Sequence, residues 1–154
     1  MPDAGAPPAI FISYSHVDEK WKERLVKQLK VLELEGALEV WDDRRIAAGD
    51  DWLPAITQEM ERAKVAVLLI SADFLTSKFI RSAEVPAVLA RRQNGGLRVI
   101  PLIVHPCPWQ AVPWLSAIQC RPKDGRPLSA GSKNKVDSDL AALAMEISGL
   151  LGKV

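Results

Sequence analysis

The chain has 154 residues, of which 48% are hydrophobic and 25% are charged. These proportions are typical of one globular domain that is long enough to bury a core. The 20 basic and 19 acidic residues give a formal net charge of +1 and are spread along the chain. This balance excludes an electrostatic footprint for nucleic acid or for an anionic membrane.

Neither export nor membrane insertion is indicated by the sequence. The N-terminus, MPDAGAPPAIFISYS, lacks a basic segment followed by a long apolar run, and residues 1–8 are interpreted as a flexible leader. No stretch approaches the ~20 apolar residues that a membrane-spanning helix needs. Cys107 and Cys120 could form one disulfide, but free thiols in a reducing cytoplasm are the better interpretation.

Short apolar runs alternate with helical patterns along the chain. Runs rich in Ile, Val and Leu that are too short for buried helices predict five strands, at 9–14, 37–41, 64–71, 97–104 and, more weakly, 117–122. Helical patterns occupy 18–33, 51–63, 79–93 and 136–151. The first of these helices has Trp21, Leu25 and Leu29 at four-residue spacing, and Asp18 is placed to cap its start.

Alternating strands and helices predict an α/β fold with a parallel sheet covered on both faces. The runs at 64–71 and 97–104 are apolar on both faces and are therefore expected at the centre of the sheet. Ligands in such sheets bind beyond the carboxyl ends of the strands. The candidate site is therefore built from the loops that begin at Ser13, Asp42 and Ser71.

Several common site chemistries lack their motifs here. There is no GxxxxGK[ST] or GxGxxG phosphate loop, and NGG at 94–96 is explained by a helix C-cap turn. His105 and Cys107 have no partners at a recognisable zinc spacing, so no metal site is predicted. No GxSxG elbow presents a serine nucleophile. A response-regulator receiver would need an acidic pair after the first strand and an aspartate that ends the third strand. The chain has SYSH and ISAD at these positions, so this alternative fails unless Asp73 is the second of those features.

Glu84 interrupts an apolar stripe in the predicted helix at 79–93. The ~100° step per residue places Ile80, Glu84 and Val88 on one face. The carboxylate is either a surface group near a helix N-terminus, where the macrodipole and the nearby Pro86 are favourable, or a group that faces a ligand cleft.

Three segments together resemble a bacterial Toll/interleukin receptor domain, abbreviated TIR. They are IFISYSHVDEKWKERLVKQL, then VWDDRRIAAGDDWLPAITQEMERAKVAVLLISADFLTSKFIRSAEVPAVL, then VIPLIVHPCPWQAVPWL with IQCRPKDGRPLS. The ordered set of WDD, the GDDW loop and SKFIRSAE carries the resemblance, which places one TIR domain at 9–151. The resemblance implies a flavodoxin-like, three-layer fold with five parallel strands and helices on both faces.

The resemblance also implies an activity and its partners. Some TIR domains only assemble, whereas many bacterial ones are NAD+ glycohydrolases that release nicotinamide and ADP-ribose or a cyclic isomer of it. NAD+ is then the substrate, no cofactor is needed, and Glu84 is catalytic because it matches a glutamate of the third helix. Activation by self-association through the 42–52 loop and a role in bacterial antiphage defence are implied as well. Bacterial members often precede sensor or oligomerising modules, so a sensor domain or partner chain is a further expectation.

Further substrate-binding candidates each have a structural alternative. Ser13 and Tyr14 resemble positions that line the nicotinamide side of the pocket, or they simply end the first strand. Ile80 stands where enzymatic relatives often have a stacking tryptophan, which rules out stacking by this residue. An aromatic side chain that otherwise packs in the core or anchors a loop would have to stack instead: Trp52, Phe74 or Phe79.

The loops supply polar candidates. Asp42 and Asp43 could bind ribose or satisfy turn amides. Arg44 and Arg45 are candidates for phosphate contacts by charge alone. Gly49 is expected to supply a backbone angle that other residues dislike. Two serines are placed at the mouth of the cleft, Ser71 and Ser77, and the second is equally suited to cap a helix. Packing of the loop after the fourth strand is expected of Trp109 and Trp114.

A second class of function uses the same fold without turnover. The chain would then be a scaffold for homotypic TIR binding, or a mimic of a host's signalling adaptors. Glu84 favours the enzyme, whereas Ile80 weakens that preference.

Overall fold

The computed structural model describes residues 7–42, 61–78 and 80–152. Four parallel strands form one sheet in the order β2-β1-β3-β4: β1 (Ala9–Ser13), β2 (Glu39–Asp42), β3 (Ala63–Ile70) and β4 (Arg98–Ile103). The predicted α/β class with a parallel sheet is confirmed.

Helices follow the strands in the predicted alternation. The helices are α1 (Glu19–Leu34), α2 (Ala72–Thr76), α3 (Val85–Gln93), α4 (Pro113–Ser116) and α5 (Lys133–Leu151), and a π-helical turn (Ile80–Glu84) leads directly into α3. Short 3-10 turns lie at His16–Asp18, Trp109–Ala111 and Leu128–Ala130. Helix α5 begins three residues earlier than predicted because the Ser132 side chain accepts a hydrogen bond from the Lys135 amide and caps it. The predicted helix at 51–63 lies outside the described residues up to residue 60, and Ala63 already belongs to β3.

The fifth predicted strand, 117–122, is wrong for the described structure. Only one isolated parallel bridge forms there, between Leu102 and Arg121. The Ile103 amide donates to the Arg121 carbonyl at 2.8 Å and the Arg121 amide donates to the Pro101 carbonyl at 2.7 Å. The next residue is Pro122, which has no N–H to continue a ladder. The described sheet therefore ends at β4, and its central strands are β1 and β3 rather than the predicted pair of β3 and β4.

Alternate residues of β1 lie in two separate apolar clusters, one on each face of the sheet. Ile10, Ile12 and Tyr14 join the cluster formed with α1 and α5, whereas Phe11 joins the cluster formed with α2 and α3. This alternation follows from the two-residue period of a strand. The result is a layer of helices on each face, as the flavodoxin-like interpretation requires.

The last two residues of the predicted leader at 1–8 are part of the described structure. Of the predicted leader, residues 1–6 lie outside the description, while the Pro8 carbonyl already accepts a hydrogen bond from the Glu39 amide at 2.9 Å. None of the described helices has the length and apolar character needed to cross a membrane.

Cys107 and Cys120 are free thiols, and burial raises the pKa of each above its usual value.

An ion pair attaches the segment after β4 to α5. The Arg121 guanidinium donates to both carboxylate oxygens of Glu146, at 2.8 Å for Nε to Oε1. This hydrogen bonding lowers the pKa of Glu146 below its ordinary value of 4.5. A bidentate arginine and carboxylate pair is one of the stronger ionic contacts in proteins.

The lowered pKa of Glu146 predicts a pH-dependent loss of stability in Glu146→Gln. Because the folded state prefers the ionised carboxylate, the pair stabilises the protein above pH 4.5 and ceases to do so as pH falls through the lowered pKa. Urea unfolding at neutral pH should show a cost of about 1 kcal/mol, and the difference from wild type should vanish in acid. A difference that is constant with pH would contradict this assignment.

Candidate functional site

Two hydrogen-bonded pairs of polar side chains are buried near the carboxyl edge of the sheet. Among the described residues the buried polar or charged ones are Ser13, Asp18, Ser71 and Glu84. Ser13 pairs with Glu84, and Asp18 pairs with Ser71. Ser13 ends β1 and Ser71 directly follows β3, so the neighbouring central strands position both pairs.

The first pair fixes the carboxylate of Glu84. Ser13 Oγ donates a hydrogen bond to Glu84 Oε1, and both side chains are 0% exposed. Ser13 lies two residues after Phe11 in β1 and therefore on the same face, toward α3. A carboxylate is thus held between the end of a central strand and the helix that packs on it.

Glu84 lies at the junction of the π-helical turn and α3. The π-helical turn ends at Glu84 and continues directly into α3, in whose first turn Pro86 has no N–H to donate. Glu84 occupies the N-cap position of α3 but makes no capping hydrogen bond. Because Glu84 is also fully buried, the interpretation of this residue as a surface glutamate is wrong. π-Helical turns are rare and frequently occur at functional sites.

The second pair extends to a histidine and was not predicted. Ser71 Oγ donates to Asp18 Oδ2 at 2.5 Å and accepts from the Phe74 amide at 3.1 Å, which caps α2. Asp18 Oδ1 lies 3.4 Å from His105 Nε2. Asp18 was predicted to cap α1, but its carboxylate makes no such bond because it is used between the strand ends. One signal was available: Asp18, Ser71 and His105 each follow a strand whose carboxyl end reaches the same edge.

Although serine, aspartate and histidine all occur in this second group, they are not arranged as a nucleophilic triad. Both Ser71 and His105 contact Asp18, so the carboxylate lies between them, and the serine hydroxyl donates to the carboxylate. A serine nucleophile instead needs its proton to pass to the imidazole. The group joins the ends of β1, β3 and β4 and is a structural element of this edge.

Asp18→Ala is expected to lower the free energy of unfolding by ~2–3 kcal/mol, because the buried Ser71 hydroxyl would lose a charged acceptor. The same change at Asp73, an exposed residue of α2, should shift stability by no more than ~0.5 kcal/mol. Urea unfolding of the two variants measures both quantities. Equal stabilities would show that the Asp18 contacts contribute nothing.

The structure separates Tyr14 from Glu84. Tyr14 is buried in the cluster with α1 and α5, and Lys22 Nζ lies 5.3 Å from its ring centroid. The structure does not bring Ser13 and Tyr14 together, because consecutive residues of an extended chain point to opposite faces. Ser13 alone of the two lies beside Glu84.

Phe74 and Ser77 are placed as their structural alternatives predict, and Ile80 is buried as well. Phe74 and Ile80 are buried in the second apolar cluster. Ser77 Oγ accepts a hydrogen bond from the Ile80 amide at 3.3 Å, as a cap would. Trp109 and Trp114 are partly buried against the same cluster, which confirms their packing role.

Several predicted site residues lie outside the described residues: Asp43, Arg44, Arg45, Gly49, Trp52 and Phe79. The 42–52 loop falls there too, apart from its first residue. Asp42 ends β2, where it is in register with Ile12 of β1.

Comparisons with known proteins identify the family. The TIR domain family model matches residues 10–130. The uncharacterised protein y4lF of Sinorhizobium fredii is 38% identical over 122 residues, which make up 79% of this chain and 38% of that protein. The chain therefore spans well under half the length of this curated relative.

Solved structures share the fold. A prokaryotic SEFIR domain matches with a TM-score of 0.55 and 18% identity over 90% of both chains. The TIR domains of the activated Roq1 resistosome, which directly recognises the pathogen effector XopQ, match with a TM-score of 0.53 and 16% identity over 90% of this chain and 84% of that one. The family match extends from β1 past β4 and includes both buried polar pairs, and the chain belongs to the TIR domain family.

Proposed function

We propose that this TIR domain is an NAD+ glycohydrolase, or a cyclase, that cleaves the bond between nicotinamide and ribose. The observation that carries the proposal is the buried carboxylate of Glu84, oriented by Ser13 at the carboxyl edge of the sheet. Burying a carboxylate is costly, and strongly desolvated acids at sheet edges are candidates for catalysis. Glu84 is also the residue that matches the glutamate of NAD-cleaving relatives.

One carboxylate is sufficient for this reaction. When the C1′–N bond breaks, its electron pair moves to the pyridinium nitrogen and nicotinamide leaves as a neutral molecule, so no acid has to protonate it. Positive charge develops on the ribose, and the buried carboxylate of Glu84 stabilises it electrostatically. Ordinary glycosidases usually need a second carboxylate as general acid.

The reaction is completed by a nucleophile at C1′ of the ribose. When water attacks, its oxygen bonds to C1′, a proton is lost, and the product is ADP-ribose. When a nitrogen of the adenine in the same molecule attacks, the product is a cyclic isomer. Ser13 acts as a positioning residue in either case, because its hydroxyl holds Oε1 of Glu84 in one orientation.

Self-assembly is proposed as the activating step. The Roq1 TIR domains belong to an activated resistosome, and the same fold in this chain is compatible with homotypic association. A role in antiphage defence stays a prediction.

A scaffold without turnover is the second candidate. Glu84 has no exposed surface in this structure, and its hydrogen bond to Ser13 would equally suit a purely structural tie between β1 and α3. Ile80 in place of the stacking tryptophan also favours this candidate.

Nicotinamide release from NAD+, followed by chromatography while light scattering reports association, distinguishes the two candidates. An enzyme activated by assembly gives nicotinamide at a rate per molecule that rises with protein concentration. Association without any nicotinamide, across the whole concentration range, would contradict the enzyme and support the scaffold.

A further inference from the structure

A cavity of about 660 Å³ lies between α5 and the segment at 121–124 that follows β4. Two of its lining residues, Leu102 and Leu143, belong to the apolar cluster formed with α1 and α5. The cavity therefore lies on the face of the sheet opposite to Ser13 and Glu84, and it is separate from that pair. Its volume is within the range of small-molecule sites.

Part of the cavity wall is an apolar surface that the fold leaves uncovered. The apolar lining residues are Leu102, Pro122, Ala142, Leu143 and Met145. Met145 is 67% exposed, although Leu143 and Ala144 directly before it in α5 are buried. The flexible, polarizable side chain of methionine adapts to apolar partners of irregular shape. This wall therefore suits an aliphatic chain.

Two of the three carboxylates that line the described cavity are paired with lining cations. Glu146 accepts from the Arg121 guanidinium through both of its oxygens. Asp139 Oδ1 lies 3.0 Å from Lys135 Nζ, one turn earlier in α5. These two pairs leave neither charge uncompensated in the cavity wall.

The third carboxylate is paired with a cation outside the cavity. Asp124 accepts a hydrogen bond from the Arg126 amide at 3.0 Å, and its other oxygen lies 3.8 Å from Arg126 Nε. Lys123 is exposed and makes no hydrogen bond or ion pair within the described part of the chain. Its ammonium group is therefore the lining charge that is left for a ligand of opposite sign.

We propose that this cavity binds an aliphatic monocarboxylate. The aliphatic chain packs against Met145 and the leucines of the cavity wall, and the carboxylate binds the Lys123 ammonium group. One negative charge matches the single unpaired cation, whereas a second would meet the lining carboxylates. An ammonium group is a compact point charge that does not require a planar or bidentate partner.

Calorimetric titration with octanoate, octan-1-ol and acetate separates the two parts of the proposed site. Octanoate has both the chain and the charge, octanol has the chain alone, and acetate has the charge alone. Wild type should bind octanoate at least ~10-fold more tightly than octanol, which forms no ionic contact. It should also bind octanoate at least ~100-fold more tightly than acetate, which buries no chain.

Two variants assign these contributions to residues. Lys123→Gln should reduce octanoate affinity by ~10-fold or more and leave octanol affinity unchanged. Met145→Ala should weaken octanoate and octanol by the same factor, because both ligands lose the same apolar contact. Lys27→Gln, at an exposed position of α1 outside the cavity, is the matched control for the charge and should bind octanoate like wild type.

The site would be overturned by the absence of octanoate binding at millimolar concentration, by octanoate affinity that Lys123→Gln leaves unchanged, or by equal affinities for octanoate and octanol. Methyl NMR gives an independent readout, because the chain has only three methionines. The Met145 methyl signal should shift on octanoate addition, and shifts confined to Met1 or Met60 would contradict the site. Neither readout depends on NAD+ cleavage.

Discussion

Glu84→Gln should reduce nicotinamide release from NAD+ by ~100-fold or more, the scale expected when a major electrostatic contribution to the transition state is removed. Glutamine keeps the size of the side chain and an oxygen that can accept from Ser13, but it removes the negative charge. The fold should therefore persist while the developing positive charge on ribose loses its partner. Chromatographic assay of wild type and variant at equal concentration measures the effect.

The control for this variant is Glu23→Gln, which makes the same chemical change at an exposed position of α1. Its rate should equal that of wild type, and thermal unfolding should confirm that Glu84→Gln is folded. Equal rates of nicotinamide release for wild type and Glu84→Gln would show that Glu84 takes no part in the cleavage of NAD+.

Phe74→Ala is expected to lower the free energy of unfolding by ~3–5 kcal/mol, since it empties the site of a fully buried aromatic side chain. Phe74 lies in the apolar cluster beneath α2 and α3, and its amide is tied to Ser71. Leu75→Ala, next to it and only partly buried, should cost less. Urea unfolding compares the two variants.

This second prediction decides between two roles for Phe74. A core residue loses stability on truncation, whereas a residue that stacks on a substrate ring loses substrate affinity instead. A cost below ~1 kcal/mol for Phe74→Ala, together with weakened NAD+ binding, would show that Phe74 is a substrate contact rather than part of the core.

Strand positions could be predicted because burial leaves a local signal. The runs at 9–14, 64–71 and 97–104 are within a residue of β1, β3 and β4, since branched apolar residues in short runs are typical of buried parallel strands. Strand order leaves no such signal. A run that is apolar on both faces indicates burial on both faces, and β4 meets that condition at the edge of the described sheet.

The hydrogen-bond partners of the buried polar side chains were harder to predict than the positions of the strands. Asp18 satisfies the local rule for a helix cap. Its carboxylate instead contacts Ser71 and His105, which come from distant parts of the chain, and no capping hydrogen bond forms. The same holds for Ser13 and Glu84, whose contact depends on how α3 packs against the sheet.

The separation of Ser13 from Tyr14 could be predicted from the sequence. Ser13 ends β1 and Tyr14 follows it directly, and the two-residue period continued by one residue places Tyr14 with Ile10 and Ile12 rather than with Ser13. The resemblance to enzymatic relatives grouped them by position in the chain, whereas the geometry of the strand separates them.

The most direct test of the Ser13–Glu84 site is the rate of nicotinamide release by wild type, Ser13→Ala and Glu84→Gln, measured side by side. The account predicts the highest rate for wild type, an intermediate rate for Ser13→Ala because the carboxylate keeps its charge but loses its orienting bond, and the lowest for Glu84→Gln. Three equal rates, or no release by wild type under conditions where it assembles, would contradict it.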